Sequence, residues 1–237
     1  MIMYADHVFA PLDADHHLER IAGGNETEVY RTDDRRFVVK LKSDLGGNTH
    51  TAVAAARAMR TAAEEFAACL GPEHSITSTY VVARDSSDRV QVLVVQPYLV
   101  HARSLHAVDY ETLDTNERAR VSKQLRNIIR RSLSFYRHTG RMPDLYGRTS
   151  TNSAERARLK KPLMLPKRLW SFLVQRNLLR SHNLMLTDAP ERRIVLVDYD
   201  TVRQNKLYQF VYFAVRWLLF WRDHVLIFLL QQRLSSR

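Results

Sequence analysis

Hydrophobic residues in the first part of the chain come mainly in the short runs that are typical of β-strands. β-Branched and aromatic residues dominate Arg36–Lys42, and two further runs, Tyr80–Arg84 and Val90–Gln96, lie on either side of a polar turn. Thr51–Leu70 is rich in alanine and contains no proline, so it predicts a helix. The expected order is a strand, a helix and a β-hairpin, whose second strand is a continuous apolar run typical of a buried strand.

The rest of the chain has a mainly helical pattern. Asp114–His138 carries apolar residues at helical spacing with basic residues between them, which predicts a helix packed on the core. Ser181–Leu186 and Ile194–Asp200 instead indicate two short strands around a polar turn. Tyr208–Leu230 returns to helical spacing and is expected to form core helices that close the C-terminal part of the fold.

Length and composition allow one domain with a sizeable core, or two lobes that share one. The chain has 237 residues, of which 45% are hydrophobic and 26% charged. Its formal net charge of +11 favours an anionic partner such as a nucleotide, a nucleic acid or a membrane surface, but charge does not choose among these. The single cysteine, Cys69, excludes an internal disulfide and a cysteine-cluster metal site. The N-terminal residues lack a signal-peptide pattern, so we expect a cytoplasmic protein.

Phe210–Leu230 is the one candidate for a membrane-spanning segment. Its apolar residues favour insertion by roughly 4–8 kcal/mol, whereas Arg216, Arg222 and Asp223 cost about 2.5–3.5 kcal/mol each when centrally placed. The sum does not favour spanning.

Two segments are candidates for peripheral contact with an anionic membrane surface, which would place the protein on the inner face of the membrane. Residues 148–180 contain nine Lys or Arg and one acid, although a solvated loop is an equal alternative. Residues 208–230 are first of all core helices, and a membrane contact is the second interpretation, because flanking arginines accompany four aromatic residues: Trp217, Phe220, Trp221 and Phe228. Nucleic acid is a less favoured partner.

An amide and a carboxylate stand at the ends of the second predicted hairpin. Asn183 begins its first strand and Asp198 ends its second, and such hard oxygen ligands suit Mg²⁺ that also binds nucleotide phosphates. In this arrangement the sequence resembles the protein kinase-like fold, including its aminoglycoside phosphotransferase-like and lipopolysaccharide kinase-like members. Asn183 matches the catalytic-loop asparagine and Asp198 the metal-binding aspartate. Tyr199-Asp200 stands where protein kinases have Phe-Gly, and Asp200 is a reserve metal ligand.

The resemblance also assigns phosphate-binding residues in the N-terminal part. Residues 21–30 can be placed on the glycine-rich loop with Gly24 at its second glycine, Gly23 beside it and Val29 at its valine, although a plain β-turn explains them equally well. Lys40 then occupies the position of the lysine that binds the α- and β-phosphates. Lys42 is the alternative register, and a solvated strand lysine is the simpler explanation of either residue.

A helical glutamate and a hinge complete the N-terminal resemblance. Glu64, or alternatively Glu65, would pair with Lys40 and orient it towards phosphate, unless both are ordinary surface carboxylates. The chain after the apolar hairpin, Pro97, Tyr98 and Leu99, would contact the adenine through backbone groups.

Asp144 is expected to be the catalytic carboxylate, because it follows the helix that leads into a kinase catalytic loop. In the usual H-R-D-x-x-x-x-N loop, however, the aspartate precedes the asparagine by five residues, and that position holds Leu178. Either Arg148–Arg180 is an insertion, or catalysis has been lost. We prefer the insertion, since Val174–Arg180 has a helical pattern whereas Asp144 lies in a loop.

The resemblance implies an α+β, two-lobed protein kinase-like fold, with a small β-rich N-lobe at 1–99 and a mainly helical C-lobe at 100–237. It implies an ATP-dependent phosphotransferase that binds Mg²⁺ and ATP through residues of both lobes and phosphorylates a hydroxyl acceptor that the sequence does not identify. The alternatives are a pseudokinase that acts as a nucleotide-binding regulator, and a basic protein that binds membrane surfaces or nucleic acid.

Overall fold

A computed structural model describes most of the chain. It covers residues 2–4, 18–23, 28–42, 48–84, 90–147, 177–188, 191–199 and 206–232. These residues form two compact units. The first comprises the described residues up to Glu64 together with Ile76–Val100, and the second comprises Glu65–Ser75 and the described residues from His101 onward. The secondary structure is mixed, so the predicted α+β class is confirmed.

The first unit is built on a six-stranded sheet. Its strands are β1 (Ile2–Tyr4), β2 (Glu19–Gly23), β3 (Glu28–Arg31), β4 (Phe37–Lys42), β5 (Thr79–Arg84) and β6 (Val90–Pro97). Their order across the sheet is β1-β5-β6-β4-β3-β2, and all neighbours are antiparallel except β1 and β5. The predicted strand at 36–42 and the predicted hairpin of 80–84 with 90–96 are therefore confirmed.

Side chains along the central strands point alternately to the two faces of the sheet, and one of these faces carries a buried core. Val39, Val81 and Leu93 are buried together, and Leu41 packs against them. Because neighbouring side chains of a strand point to opposite faces, Lys40 lies on the face of β4 opposite to Val39 and Leu41.

Helix α1 (Thr49–Leu70) contributes residues to both units and confirms the predicted helix at 51–70. It begins two residues before the predicted start, because the Asn48 side chain caps it: Asn48 Oδ1 accepts the Thr51 N–H at 2.8 Å.

The second unit contains two long helices and a small sheet. The helices are α2 (Thr115–Thr139) and α3 (Lys206–Gln232), which pack on each other, and the three-stranded sheet has the order β7 (Arg103–Ser104), β8 (Leu184–Leu186), β9 (Ile194–Leu196). The predicted helix at 114–138 and the predicted hairpin of the two C-terminal strands are confirmed. The predicted helical segment at 208–230 is one continuous helix. Nowhere in the described residues is there a helix long and apolar enough to cross a membrane.

Helix α2 has well-defined ends. Asp114 and Glu117 form a capping box at its N-terminus, and Gly140 ends it in the left-handed conformation with φ 68°. The buried side of α2 carries Leu125 and Ile128, both fully buried. The helix therefore ends at a defined, exposed residue, and the chain returns to the core at the buried Met142.

Candidate functional site

Two segments that are far apart in sequence meet next to the β8–β9 hairpin. Asn183 Nδ2 donates to the backbone carbonyl of Asp144 at 2.8 Å, across 39 residues of sequence. A second hydrogen bond joins the same two segments, since His182 N donates to Tyr146 O at 3.0 Å. The structure thus brings the backbone of Asp144, the predicted catalytic residue, into contact with the side chain of Asn183, a predicted metal ligand.

Ser181 and Gly147 explain why these segments fit so closely. The fully buried Ser181 hydroxyl donates to Leu145 O at 2.5 Å and accepts the N–H groups of Asn183 and Leu184, at 3.1 and 2.9 Å. Gly147 has φ 70°, and a Cβ at this position would lie 2.5 Å from Asn183 Oδ1. A glycine is therefore required both by the backbone conformation and by the closeness of the Asn183 amide.

The third predicted residue, Asp198, lies two residues after β9, the second strand of the hairpin. Val197 N donates to Asn183 O at 2.9 Å, so the chain reaches the half-buried Asp198 directly after this bond. The structure therefore brings both predicted metal ligands to the same end of the hairpin, whereas Asp200 lies outside the described residues.

The donor set fits Mg²⁺ better than a softer metal. Among the described residues no group of three or more His, Cys, Asp or Glu side chains is suited to holding a metal ion. Magnesium differs from zinc in taking hard oxygen ligands and in keeping several waters or phosphate oxygens, so one amide oxygen and one carboxylate are a sufficient protein contribution. Asn183 and Asp198 provide these two ligand types.

The Asp144 carboxylate is held by a buried arginine of α3. Arg216 Nη2 donates to Asp144 Oδ1 at 2.9 Å, and only 3% of the Arg216 side chain is exposed. The same oxygen accepts the Tyr146 N–H at 3.2 Å, and the Arg216 guanidinium carbon lies 3.9 Å from the centre of the Tyr146 ring. These contacts fix the orientation of the carboxylate.

A second carboxylate of α3 anchors the same loop. The Tyr146 hydroxyl donates to Asp223 Oδ2 at 2.6 Å, and both residues are almost fully buried. Asp223 also accepts from Arg222 Nη2 at 2.8 Å and from the Leu178 N–H. Burial raises the pKa of Asp223, and the hydrogen bond from Tyr146 and the charge of Arg222 oppose this shift. Burial, reinforced by the charge of Asp223, raises the pKa of Tyr146 well above its ordinary value.

Sequence reasoning missed the role of Arg216 and Asp223. It treated both only as costs against membrane insertion. The signal was present, since two charged residues seven positions apart in an otherwise apolar helix lie on one face. Buried charges require partners, so this face was the one to search for a polar site.

Leu178 occupies the position where the usual kinase spacing expects the aspartate. It is fully buried within a 3₁₀ turn, Leu178–Arg180. Of the predicted helical stretch 174–180, the structure describes this turn and the extended Asn177 before it. Its side chain offers no polar group beside Asn183, and the carbonyl next to the Asn183 amide belongs to Asp144 instead.

In the first unit, the predicted phosphate-binding residues lie on neighbouring strands. Val29 on β3 is paired with Lys40 on β4, and both are half-buried. Gly23 ends β2, where it is paired with Glu28, and Gly24 lies outside the described residues. Gly23 thus lies at the end of a strand that forms an antiparallel pair with β3. Lys42, the alternative lysine, is buried.

The two candidate glutamates have arginine partners. Glu64 is exposed and accepts from Arg60 Nε at 2.7 Å, one helical turn earlier. Glu65 is half-buried and forms an ion pair with Arg141 at 2.7 Å. Pairing of Glu64 with Lys40 remains a prediction.

The predicted hinge follows directly from the sheet. Pro97 is the last residue of β6, and Tyr98 N donates to Arg36 O at 2.8 Å. The Arg31 guanidinium carbon lies 5.4 Å from the centre of the Tyr98 ring, and Leu99 is half-buried. Contact of these residues with an adenine remains a prediction.

Comparison with solved structures finds nine chains that are similar to this one. The crystal structure of spectinomycin phosphotransferase, APH(9)-Ia, in complex with ADP and spectinomycin is similar to this chain with a TM-score of 0.41 and 14% sequence identity, over 85% of this chain and 70% of that chain. No protein-family model matches the sequence, and no curated protein matches it. Evidence for a function therefore comes from the chain's own residues.

Proposed function

We propose that this protein is an ATP-dependent phosphotransferase of the kinase-like type, which transfers the γ-phosphoryl group of ATP to a hydroxyl acceptor. The observation that carries the proposal is the hydrogen bond of 2.8 Å between Asn183 Nδ2 and Asp144 O. It joins a carboxylate-bearing loop to the hairpin that carries Asn183 and Asp198. A base and two magnesium ligands in one compact unit are the C-lobe requirements of phosphoryl transfer.

Each residue has a defined role in this proposal. Asn183 and Asp198 would hold Mg²⁺, which supplies charge neutralisation at the phosphates when bound. Asp144 would accept the proton of the acceptor hydroxyl, whose oxygen attacks the γ-phosphorus. The bond from that phosphorus to the β,γ-bridging oxygen breaks, and ADP leaves. Arg216 is a positioning residue, because it holds Asp144 Oδ1 from within the core.

The first unit would supply the nucleotide contacts. Lys40 would bind the α- and β-phosphates and Glu64 would orient it, while the backbone at Gly23 and Gly24 would approach the phosphates and Val29 would cover the nucleotide. The backbone of residues 97–99 would meet the adenine. These roles follow from the resemblance, and the strand pairing of Val29 with Lys40 is consistent with them.

Calorimetric titration with a non-hydrolysable ATP analogue and Mg²⁺ tests the nucleotide site. We expect the wild type to bind, and we expect Lys40→Ala and Asp198→Ala each to weaken binding. Asp188→Asn is the control, because this exposed aspartate lies after the opposite end of β8. A folded wild type that does not bind the analogue would contradict the proposal.

Transfer is then tested by ATP consumption with a panel of hydroxyl compounds. Asp144→Asn should retain nucleotide binding and lose transfer by about 10²–10⁴-fold, the usual contribution of a general base. A second candidate, a nucleotide-binding regulator without transfer, is favoured by the buried leucine at position 178. Nucleotide binding by the wild type without ATP consumption, and without any effect of Asp144→Asn, would support the regulator.

A further inference from the structure

Helix α3 has apolar residues on both of its sides. Its inner side, which includes Leu219, Phe220 and Ile227, is buried. Its outer side leaves large apolar residues between 40% and 67% exposed, and we call this set the aromatic face: Phe210, Val211, Trp217, Leu218, Trp221, Val225, Phe228 and Leu229. At 1.5 Å per residue the face is about 28 Å long. Soluble proteins rarely expose a continuous apolar surface of this extent without a partner.

A row of arginines borders the aromatic face. Arg126, Arg130 and Arg137 lie at helical spacing on one side of α2, which packs on α3. Arg126 Nη2 donates to Gln231 Oε1 at 2.8 Å near the end of α3. At the other end, Arg137 and Leu133 line a groove together with Trp217 and Leu218. The arginine row therefore follows the aromatic face over most of its length.

The two helices contain almost no negative charge to balance this row. Helix α2 contains seven Lys or Arg and one acid, Glu117, in its first turn, and the one acid of α3, Asp223, is buried. The surface is thus apolar and aromatic along one strip and positive beside it. An anionic lipid bilayer has the matching arrangement, with acyl chains next to negatively charged headgroups.

We propose that the aromatic face binds an anionic membrane surface, with the axis of α3 in the plane of the interface. Trp217 and Trp221, whose rings contact each other edge to face, would enter the headgroup region, where tryptophan is favoured. Arg130 and Arg137 would contact the anionic headgroups. Phe220, which the sequence analysis included among the membrane-contacting aromatics, is excluded, because it is buried and stacks on Tyr146.

Charge also argues against a second copy of the chain as the partner. A symmetric contact between two aromatic faces would bring two arginine rows together, and like charges across an interface oppose association. Headgroups of an anionic membrane would neutralise the same arginines. The proposal does not depend on phosphoryl transfer, because none of the residues on this face belongs to the proposed catalytic site.

Vesicle sedimentation tests the proposal with the full-length protein. We expect binding to vesicles of phosphatidylcholine with phosphatidylglycerol, and little binding to phosphatidylcholine alone. Trp217→Ser/Trp221→Ser should weaken binding by at least roughly tenfold, since burial of aromatic surface is lost. Arg130→Glu/Arg137→Glu should weaken it by at least about 20-fold, from about fivefold for each near-surface arginine. Arg57→Glu/Arg103→Glu is the charge-matched control, because both arginines are exposed and lie outside α2 and α3.

Tryptophan fluorescence tests whether α3 is the part of the protein that contacts the vesicle. In a Trp170→Phe background the two tryptophans of α3 are the remaining ones, and their emission should shift to shorter wavelength on addition of anionic vesicles. No vesicle binding by a folded protein, or binding that the tryptophan variant retains in full, would overturn the proposal. Concentration-dependent dimerisation that the tryptophan variant abolishes, without vesicle binding, would overturn it in favour of a contact between two copies.

Discussion

Replacement of Arg216 by methionine tests whether α3 holds the Asp144 loop. Methionine matches much of the arginine stem but removes the charge and the donor to Asp144 Oδ1, now 2.9 Å away. It also removes the guanidinium that lies 3.9 Å from the Tyr146 ring centre. We expect the free energy of unfolding of the second unit to fall, because Asp144 keeps its charge and loses this partner.

The expected magnitude follows from burial. Removal of one partner from a fully buried ion pair costs about 3–5 kcal/mol. The Arg216 side chain is 3% exposed but the Asp144 side chain is 21% exposed, so water can partly solvate the carboxylate left behind. The methionine sulfur retains a favourable contact with the Tyr146 ring, worth about 0.3–1.5 kcal/mol. We therefore expect a loss of about 2–4 kcal/mol.

Urea unfolding, followed by circular dichroism, measures this loss, and a double-mutant cycle with Asp144→Asn assigns it. If Arg216 acts through Asp144, its replacement should cost about 1–3 kcal/mol less in the Asp144→Asn background. Arg137→Met is the control, and as an exposed substitution it should change the free energy of unfolding by less than about 0.5 kcal/mol. Additivity of the two substitutions within about 0.5 kcal/mol would refute the reasoning.

Three further substitutions test other parts of the second unit. Gly147→Ala should lower the free energy of unfolding by about 3 kcal/mol or more and weaken Mg-nucleotide binding, since its Cβ would collide with Asn183. Gly140 has φ 68° but nothing lies within 4 Å of a Cβ there, so Gly140→Ala should cost only about 1–2 kcal/mol in urea unfolding. Burial lowers the pKa of His74 below 6.5, so below this pH the unfolded chain binds a proton that the native chain does not. The urea concentration at the unfolding midpoint should therefore be lower at pH 5 than at pH 7.5. His74→Gln should reduce this difference. Asp114→Ala removes the capping box of α2 and should lower the thermal midpoint through a loss of about 1 kcal/mol; no change would show that the cap is dispensable.

Local patterns were sufficient to predict most of the elements. Short runs of β-branched and apolar residues located β4, β5 and β6, and an alanine-rich stretch located α1, because these patterns depend only on neighbours in sequence. Strand β1, only three residues long, was missed, since its signal is pairing with β5 far along the chain. Asn183 and Asp198 could be placed together because both belong to one hairpin.

The partners of the long-range polar groups could not be predicted in the same way. The carbonyl next to the Asn183 amide belongs to Asp144, 39 residues away, and no local pattern indicates that the chain returns there. Glu64 shows the converse, since its Arg60 partner lies one turn away on the same helix and competes with any distant partner.

Helix α3 shows why a hydrophobic pattern alone does not identify a site. Because apolar residues cover both of its sides, hydrophobicity cannot tell which side faces the core, and the usual rule places charged residues outside. Here Arg216 and Asp223 are 2% and 1% exposed, while Trp221 is 63% exposed. A buried charge is tolerated only where an opposite charge or several hydrogen bonds meet it. An arginine and an aspartate two turns apart in an apolar helix therefore indicate which side is inner. They also predict that a carboxylate from elsewhere in the chain meets the arginine, and in this protein that carboxylate is Asp144.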